Sequence, residues 1–317
     1  MTEEEFEVIQ DIIDTQKLEA EEAEKKSKPY IKADALQELF MPEAQFDRIV
    51  QALKYKKNVI LQGAPGVGKT YVAKRIAKVM LGKDDPRKIK MIQFHQSYSY
   101  EDFVIGIRPD GEGGFDIRKG LFYNFCERAQ ADPSSSYCLI IDEINRGNLS
   151  KIFGELMLLL EADKRGEKIQ LTYSQDEEEF QIPPNLYLIG TMNTADRSLA
   201  MVDYALRRRF AFIDLEPTFN DKFSQFLQDA GVTTTFASVI VQKIKNINEK
   251  IAEDATLGKG FTIGHSYFCQ LEQLRNGTSP EDWYKHIIEL EIAPQLREYW
   301  FDNEDNAKEA IAFLLNI

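Results

Sequence analysis

The sequence predicts an α/β fold: a doubly wound parallel sheet of the P-loop kind, with two β-hairpin insertions and a C-terminal all-helical unit. Three observations predict it. Residues 58–81 run from a short apolar stretch (NVILQ) through GAPGVGKT into a helix-spaced segment, the strand–loop–helix context in which a glycine-rich turn cradles phosphates. Residues 137–141 (YCLII) and 186–189 (LYLI) are apolar runs that end in polar residues, as central parallel strands buried on both faces do. Beyond Pro217 the strand pattern stops and helical patterns take over.

Taken in order, the chain divides into an N-terminal helical extension over 1–35, an α/β nucleotide-binding domain over 36–217 and a helical lid over 218–317. In the extension, Thr2 and Glu5 form a capping box. Phe6, Ile9, Ile12 and Ile13 then make one apolar stripe, and the charged run 19–28 fades into a linker around 27–30. After the strand at 58–62, Gly63, Gly66 and Gly68 let the backbone turn tightly and aim its N–H groups at phosphates. The helix that follows carries Val72, Ile76, Val79 and Met80 on one side, and its N-terminus adds partial positive charge. Lys69 reaches the β- and γ-phosphates, and the Thr70 hydroxyl ligates Mg²⁺. The nucleotide-binding set is therefore Gly63, Pro65, Gly66, Val67, Gly68, Lys69, Thr70 and Tyr71.

Asp142 and Glu143 follow the apolar strand 137–141 and so sit at its C-terminal edge, beside the glycine loop. Asp142 is expected to hold the Mg²⁺ through water, and Glu143 to orient and polarise the attacking water, with Asn145 close enough to help. The strand at 186–189 brings Asn193 to the same edge, where a neutral amide can bond the γ-phosphate or the lytic water. Residues 203–210 (DYALRRRF) read as a helix ending in Arg207, Arg208 and Arg209. Such cations favour a helix C-terminus in any case, but an arginine can also stabilise charge on a transferring phosphoryl group. At the rim of its own domain it would serve a neighbouring copy. Residues 107–119 and 166–183 each alternate around a polar turn and read as hairpins. Their expected role is contact with a partner protein or DNA, and the acidic tip 176–179 favours protein. In the lid, 283–301 is an amphipathic stretch interrupted by Pro294.

These motifs, with QFHQSYSYEDF (93–103), IIDEINRGNLSKIFGE (140–155), MNTADRSLAMVDYALRRRF (192–210) and GKGFTIGHSYF (258–268), resemble the AAA+ motor domain of the McrB family. Those proteins are the GTP-driven subunits of McrBC modification-dependent restriction systems. The resemblance covers roughly residues 40–301 and implies an AAA+ P-loop NTPase that uses GTP and Mg²⁺. It also implies a homo-oligomeric, hexameric ring, an McrC-type nuclease partner, and action on DNA bearing modified cytosine. By the same resemblance Asn193 is the sensor, Asp142 and Glu143 are the Walker B pair, and Arg208 and Arg209 are the finger candidates. Only about sixty residues precede Gly63, short of a typical domain. A DNA-reading domain is thus expected to be absent, leaving a motor fragment, a short isoform or a separate reader chain. No Asn-Lys-x-Asp guanine motif follows the P-loop, so GTP preference rests on the resemblance. The base is expected between 39–47 and the lid, with His265, Ser266 and Tyr267 on the lid side.

Composition adds exclusions. Lysine and arginine number 39 against 52 acidic residues, a net charge of −13, so tight DNA binding by this chain alone is not expected. Three scattered cysteines argue against a disulfide framework or zinc site and point to a reducing cytoplasm. No signal peptide and no apolar run near the roughly 18–20 residues of a membrane span is present. The principal alternative is a MoxR-type ATP-dependent protein-remodelling chaperone, which shares the P-loop, Glu143 and finger logic. A third reading, an assembly scaffold with negligible turnover, conflicts with an intact Glu143.

Overall fold

A computed structural model describes residues 29–111, 113–174, 178–196 and 204–317. The amphipathic stretch expected over 1–28 lies outside them. Five parallel strands form the central sheet: β1 (Asn58–Gly63), β2 (Ile89–Gln93), β5 (Tyr137–Asp142), β8 (Leu186–Asn193) and β9 (Ala211–Asp214), in the spatial order β2-β5-β8-β1-β9. Alternate residues feed two cores, as a period of two requires. Ile60, Leu139, Ile141 and Leu188 face one layer, where Phe122, Phe125 and Phe153 pack. Val59, Leu61, Cys138 and Ile140 face the other, against helices Glu43–Lys56 and Lys69–Leu81. Burial on both faces is why β1, β5 and β8 read as unbroken apolar runs.

The register sets the site. Gly63 of β1 pairs with Asn193 of β8, Ile141 of β5 with Gly190, and Gln93 of β2 with Asp142. The glycine loop, the two carboxylates and the amide therefore emerge at one edge of the sheet. At the opposite edge the buried Arg165 guanidinium donates to Asn58 Oδ1 and to the Leu186 carbonyl (3.3 Å). Asn58 Nδ2 in turn donates to Leu160 O (2.7 Å) and Arg209 O (2.9 Å). Burial pulls the Arg165 pKa down to about 10.

Both hairpins form. The first is β3 (Ile105–Pro109) with β4 (Phe115–Lys119), two residues longer at its start than its sequence pattern indicates; the second is β6 (Lys168–Gln170) with β7 (Glu179–Gln181). Residues 175–177 of the acidic tip lie outside the described residues. Glu178 is spent inside the chain: it accepts from Lys119 Nζ (2.9 Å) and the Tyr123 hydroxyl (2.8 Å), tying the second hairpin to the base of the first. Tyr30, placed in a linker by its charged surroundings, is anchored instead. Its N–H bonds Gly82 O (2.7 Å) and its hydroxyl bonds Glu38 (2.8 Å).

The lid has its own core, in which Ile240 and Ile244 of helix Thr234–Glu253 meet Phe268, Trp283, Tyr284 and Leu314. Pro294 does not break the chain's helical path. It lacks the N–H that would bond back one turn, and the ladder widens into a π-turn over Ile288–Ile292 before helix Ala293–Tyr299. The lid seats directly on the glycine loop: Gly264 N–H bonds Pro65 O (3.1 Å) and Ser266 N–H bonds Gly66 O (2.8 Å). A β-carbon at Gly264 would fall 1.9 Å from the Gly66 carbonyl carbon, so only glycine permits this approach. Gly264→Ala is expected to destabilise the chain by about 1–3 kcal/mol, seen as a drop of several degrees in the thermal midpoint. An unchanged midpoint would mean the lid is not held by this seat.

Candidate active site

The loop between β1 and helix Lys69–Leu81 turns through Gly66 (φ 76°) and Gly68 (φ 77°), left-handed positions that glycine takes without strain. The turn leads Lys69 inward. Its side chain is only 8 % exposed, and its ammonium donates to Gly63 O (3.0 Å), Ala64 O (2.9 Å) and Asn193 Oδ1 (2.5 Å). Burial draws its pKa down to about 8, against the pull of Glu143, Asp142 and Asp196. A desolvated cation among partial negative charges is poised to take an anion.

Facing it, Asp142 Oδ1 accepts from the Thr70 hydroxyl (2.7 Å) and from the Thr191 hydroxyl (2.5 Å). Glu143 turns off the strand end with φ 50°, ψ 45°, a left-handed geometry uncommon outside glycine. Its Oε1 accepts from Asn193 Nδ2 (2.6 Å), and Oε2 lies 3.3 Å from Arg146 Nε. Arg146 also approaches Asp196 (3.6 Å). Burial raises the Glu143 pKa, with Arg146 opposing it, which moves a carboxylate toward the range useful to a general base. Asn145 is buried beside this pair, its Oδ1 without a partner among the described residues.

The donor set fits Mg²⁺. A hydroxyl and a carboxylate in mutual contact are hard oxygen ligands, and such a site takes its remaining ligands from water and phosphate. Among the described residues no cluster of three or more His, Cys, Asp or Glu forms a self-contained metal cage.

On the other side of the lid seat lies a cavity of about 580 Å³, between the segment 37–45, the start of the Lys69–Leu81 helix and the lid. Leu39, Phe40, Met41, Val67, Gly68, Tyr71, His265 and Ser266 line it. His265 Nδ1 accepts the Thr218 N–H (3.0 Å), which leaves the proton of the neutral ring on Nε2. Phe40 packs edge-on against the ring (5.3 Å), and burial lowers its pKa to about 4. Tyr71 carries the Arg75 guanidinium over its face at 3.3 Å. Tyr267, expected with His265 and Ser266 in this pocket, instead covers Gly66 and donates its hydroxyl to Gln295 (3.0 Å).

The arginines divide. Arg209 turns inward: its Nε donates to Met157 O and its Nη2 pairs with Glu161 (3.0 Å). Arg208 is exposed, and its carbonyl accepts from Lys56 Nζ (3.1 Å). Both sit at the start of β9, where Ala211 pairs with Val59. Gly63 is four residues farther along β1, about 13 Å at strand rise, so neither arginine reaches the cradle of its own chain.

Three participants escaped the motif reading. Arg146 and Asp196 lie inside recognised stretches but have no fixed partner in sequence. Thr191 carries a usable signal: it stands two residues before Asn193 on a strand, and so on the same face.

Two families match consecutive parts of the chain: an AAA domain (dynein-related subfamily) over residues 58–210 and the McrB alpha-helical lid domain over 239–308. The Type IV methyl-directed restriction enzyme EcoKMcrB subunit of Escherichia coli (strain K12) is 54% identical over 284 residues, covering 88% of this chain and 61% of that protein. The chain thus spans under two thirds of that relative's length. The Type II restriction enzyme BsuMI component YdiS of Bacillus subtilis (strain 168) is 26% identical, covering 65% of this chain and 72% of its own. Among the described residues no helix is long and apolar enough to cross a membrane.

The half-buried His265 makes a pH prediction. Its folded pKa, about 4, lies below the ordinary 6.5, so the unfolded chain takes up this proton first as pH falls. Stability is full above about pH 6.5 and is lost progressively toward pH 4, by about 3 kcal/mol. His265→Asn keeps an acceptor for Thr218 and should lack that part of the slope in pH-dependent unfolding. Equal slopes would place the ring in solvent.

Proposed function

We propose, for a chain that belongs to the AAA proteins bearing the McrB-type lid, that it is the GTP-hydrolysing motor of a modification-dependent restriction complex. The observation that carries the reading is the convergence of Lys69, Thr70, Asp142, Glu143 and Asn193 at one sheet edge, with arginines at the opposite edge. The 54% identity to a restriction-enzyme subunit favours this over a protein-remodelling chaperone.

In the proposed reaction the loop N–H groups and Lys69 hold the β- and γ-phosphates of the nucleotide. Thr70 and Asp142 would hold Mg²⁺, which supplies neutralisation of phosphate charge. Glu143 draws a proton from a water whose oxygen attacks the γ-phosphorus, while Asn193 orients that water and Asn145 steadies it from behind. The bond to the β-phosphate oxygen breaks, and the electron pair leaves with the nucleoside diphosphate. Arg208 of a neighbouring copy meets the charge developing on the γ-phosphoryl oxygens. Arg209 is better suited to holding the finger segment in place. Closing and reopening of such interfaces in a ring, hexameric in this reading, would drive DNA translocation or activate an McrC-type nuclease. The base sits in the cavity lined by Phe40, Tyr71 and His265.

Hydrolysis of GTP and ATP measured side by side, with Mg²⁺ and excess nuclease partner, tests the whole. GTP preference with stimulation is expected; ATP preference without it would turn the reading toward the chaperone. Glu143→Gln should bind nucleotide yet lose about 10²–10⁴ in turnover, and an unaffected rate removes the base assignment. Arg208→Ala should lose on the order of 10³, whereas Arg209→Ala should chiefly lower the thermal midpoint. Mixing the Arg208→Ala and Glu143→Gln chains should restore part of the activity, because each supplies what the other lacks. No recovery would mean the finger does not act across copies.

A further inference from the structure

Thr191 is a buried hydroxyl, 2 % exposed, on the strand that also carries Asn193. Parallel pairing of Ile141 with Gly190 brings Asp142, the next residue of β5, beside Thr191. The hydroxyl uses its donor and one of its lone pairs there. It donates to Asp142 Oδ1 at 2.5 Å and accepts the Glu143 backbone N–H at 3.3 Å. The second bond is made just where Glu143 leaves the strand in its left-handed conformation. Asp142 Oδ1 has one other hydroxyl donor, Thr70, and that hydroxyl is also the expected metal ligand. Thr191 has no such second task.

We propose that Thr191 is a positioning residue that fixes both carboxylates at once. Its O–H holds the Asp142 carboxylate in the rotamer from which that acid would hold the cation. Its lone pair holds the peptide from which the Glu143 side chain projects toward the lytic water. The two acids, adjacent in sequence, would otherwise swing independently, because one ends a strand and the other begins a turn. Thr191 acts through its neighbours, Asp142 and Glu143. This inference rests on the proposed reading of Asp142 and Glu143 as hydrolytic residues.

The test compares the wild-type chain with Thr191→Val, which keeps the shape and removes the hydroxyl, and Thr191→Ser, which keeps the hydroxyl. The direct readout is Mn²⁺ affinity by electron paramagnetic resonance in the presence of a non-hydrolysable GTP analogue. Thr191→Val should weaken Mn²⁺ binding by about 10-fold or more, the usual effect of losing a residue behind a metal ligand. Its kcat should fall at least as far while the nucleotide KM changes little. Thr191→Ser should stay within about threefold of wild type in both measurements. Should the valine chain not fold, Thr191→Cys, with a weak donor of similar size, should give an intermediate Mn²⁺ affinity. Wild-type values for Thr191→Val, or loss in Thr191→Ser equal to that in Thr191→Val, would overturn the proposal. A wild type that binds no Mn²⁺ with the analogue would instead remove the nucleotide reading beneath it, and the proposal with it.

Discussion

The in-register parallel pairing of β1, β5 and β8 is the constraint on which the rest of this molecule depends. Gly63 opposite Asn193, and Ile141 opposite Gly190, mean that three strands end together and release their polar residues into one small volume. A slip of one residue in a parallel strand would send every side chain to the other face. Here that slip is forbidden from both sides, because each face of each strand fills a separate apolar core. The hydrophobic cores thereby do more than stabilise: they are what sets Lys69, Asp142 and Glu143 within hydrogen-bonding reach of shared partners.

Charge is arranged at that edge so that no ion is stranded. The Lys69 ammonium has two backbone carbonyls and the Asn193 oxygen, while Glu143 has the Asn193 amide and Arg146. Asn193 thus bridges a buried cation and a half-buried anion with one neutral side chain, accepting from the first and donating to the second. On the proposed reading, an incoming phosphate competes for the same ammonium. Asn193 is then the group whose partners must change, which suits a residue that senses whether the γ-phosphate is present. The same logic explains why an amide stands here: a carboxylate would repel Glu143, and a cation would repel Lys69.

Much of this was legible in the sequence, and the exceptions have physical causes. The glycine loop, the three doubly buried strands and both hairpins could be read because their residue patterns have one reasonable fold. Strands β2 and β9 could not. The first, IKMIQ, is a half-exposed edge strand, and the second is four residues long, so neither makes an unbroken apolar run. The choice between Arg208 and Arg209 was hidden because adjacent helix positions differ by about a third of a turn. Only the position of Met157 and Glu161 decides which of them faces inward. The seat of the lid on the glycine loop was equally hidden, since Gly264 and Pro65 are two hundred residues apart in sequence, far beyond any local pattern.

The two ends of the sheet give the final step. The glycine-loop edge holds acids, an ammonium and an amide, and there Arg146 is engaged by Glu143 and Asp196. The opposite edge holds Arg208, exposed and about 13 Å of strand away. It rests on a segment locked by Arg165, Asn58 and the inward-turned Arg209. A buried guanidinium with no carboxylate partner among the described residues is a costly way to fix a surface segment. Asn58 makes that cost intelligible: by accepting from Arg165 and donating to Arg209 O, it ties the root of β1 to the helix end that bears Arg208. The strand that delivers the glycine loop at one end therefore orients the arginine at the other.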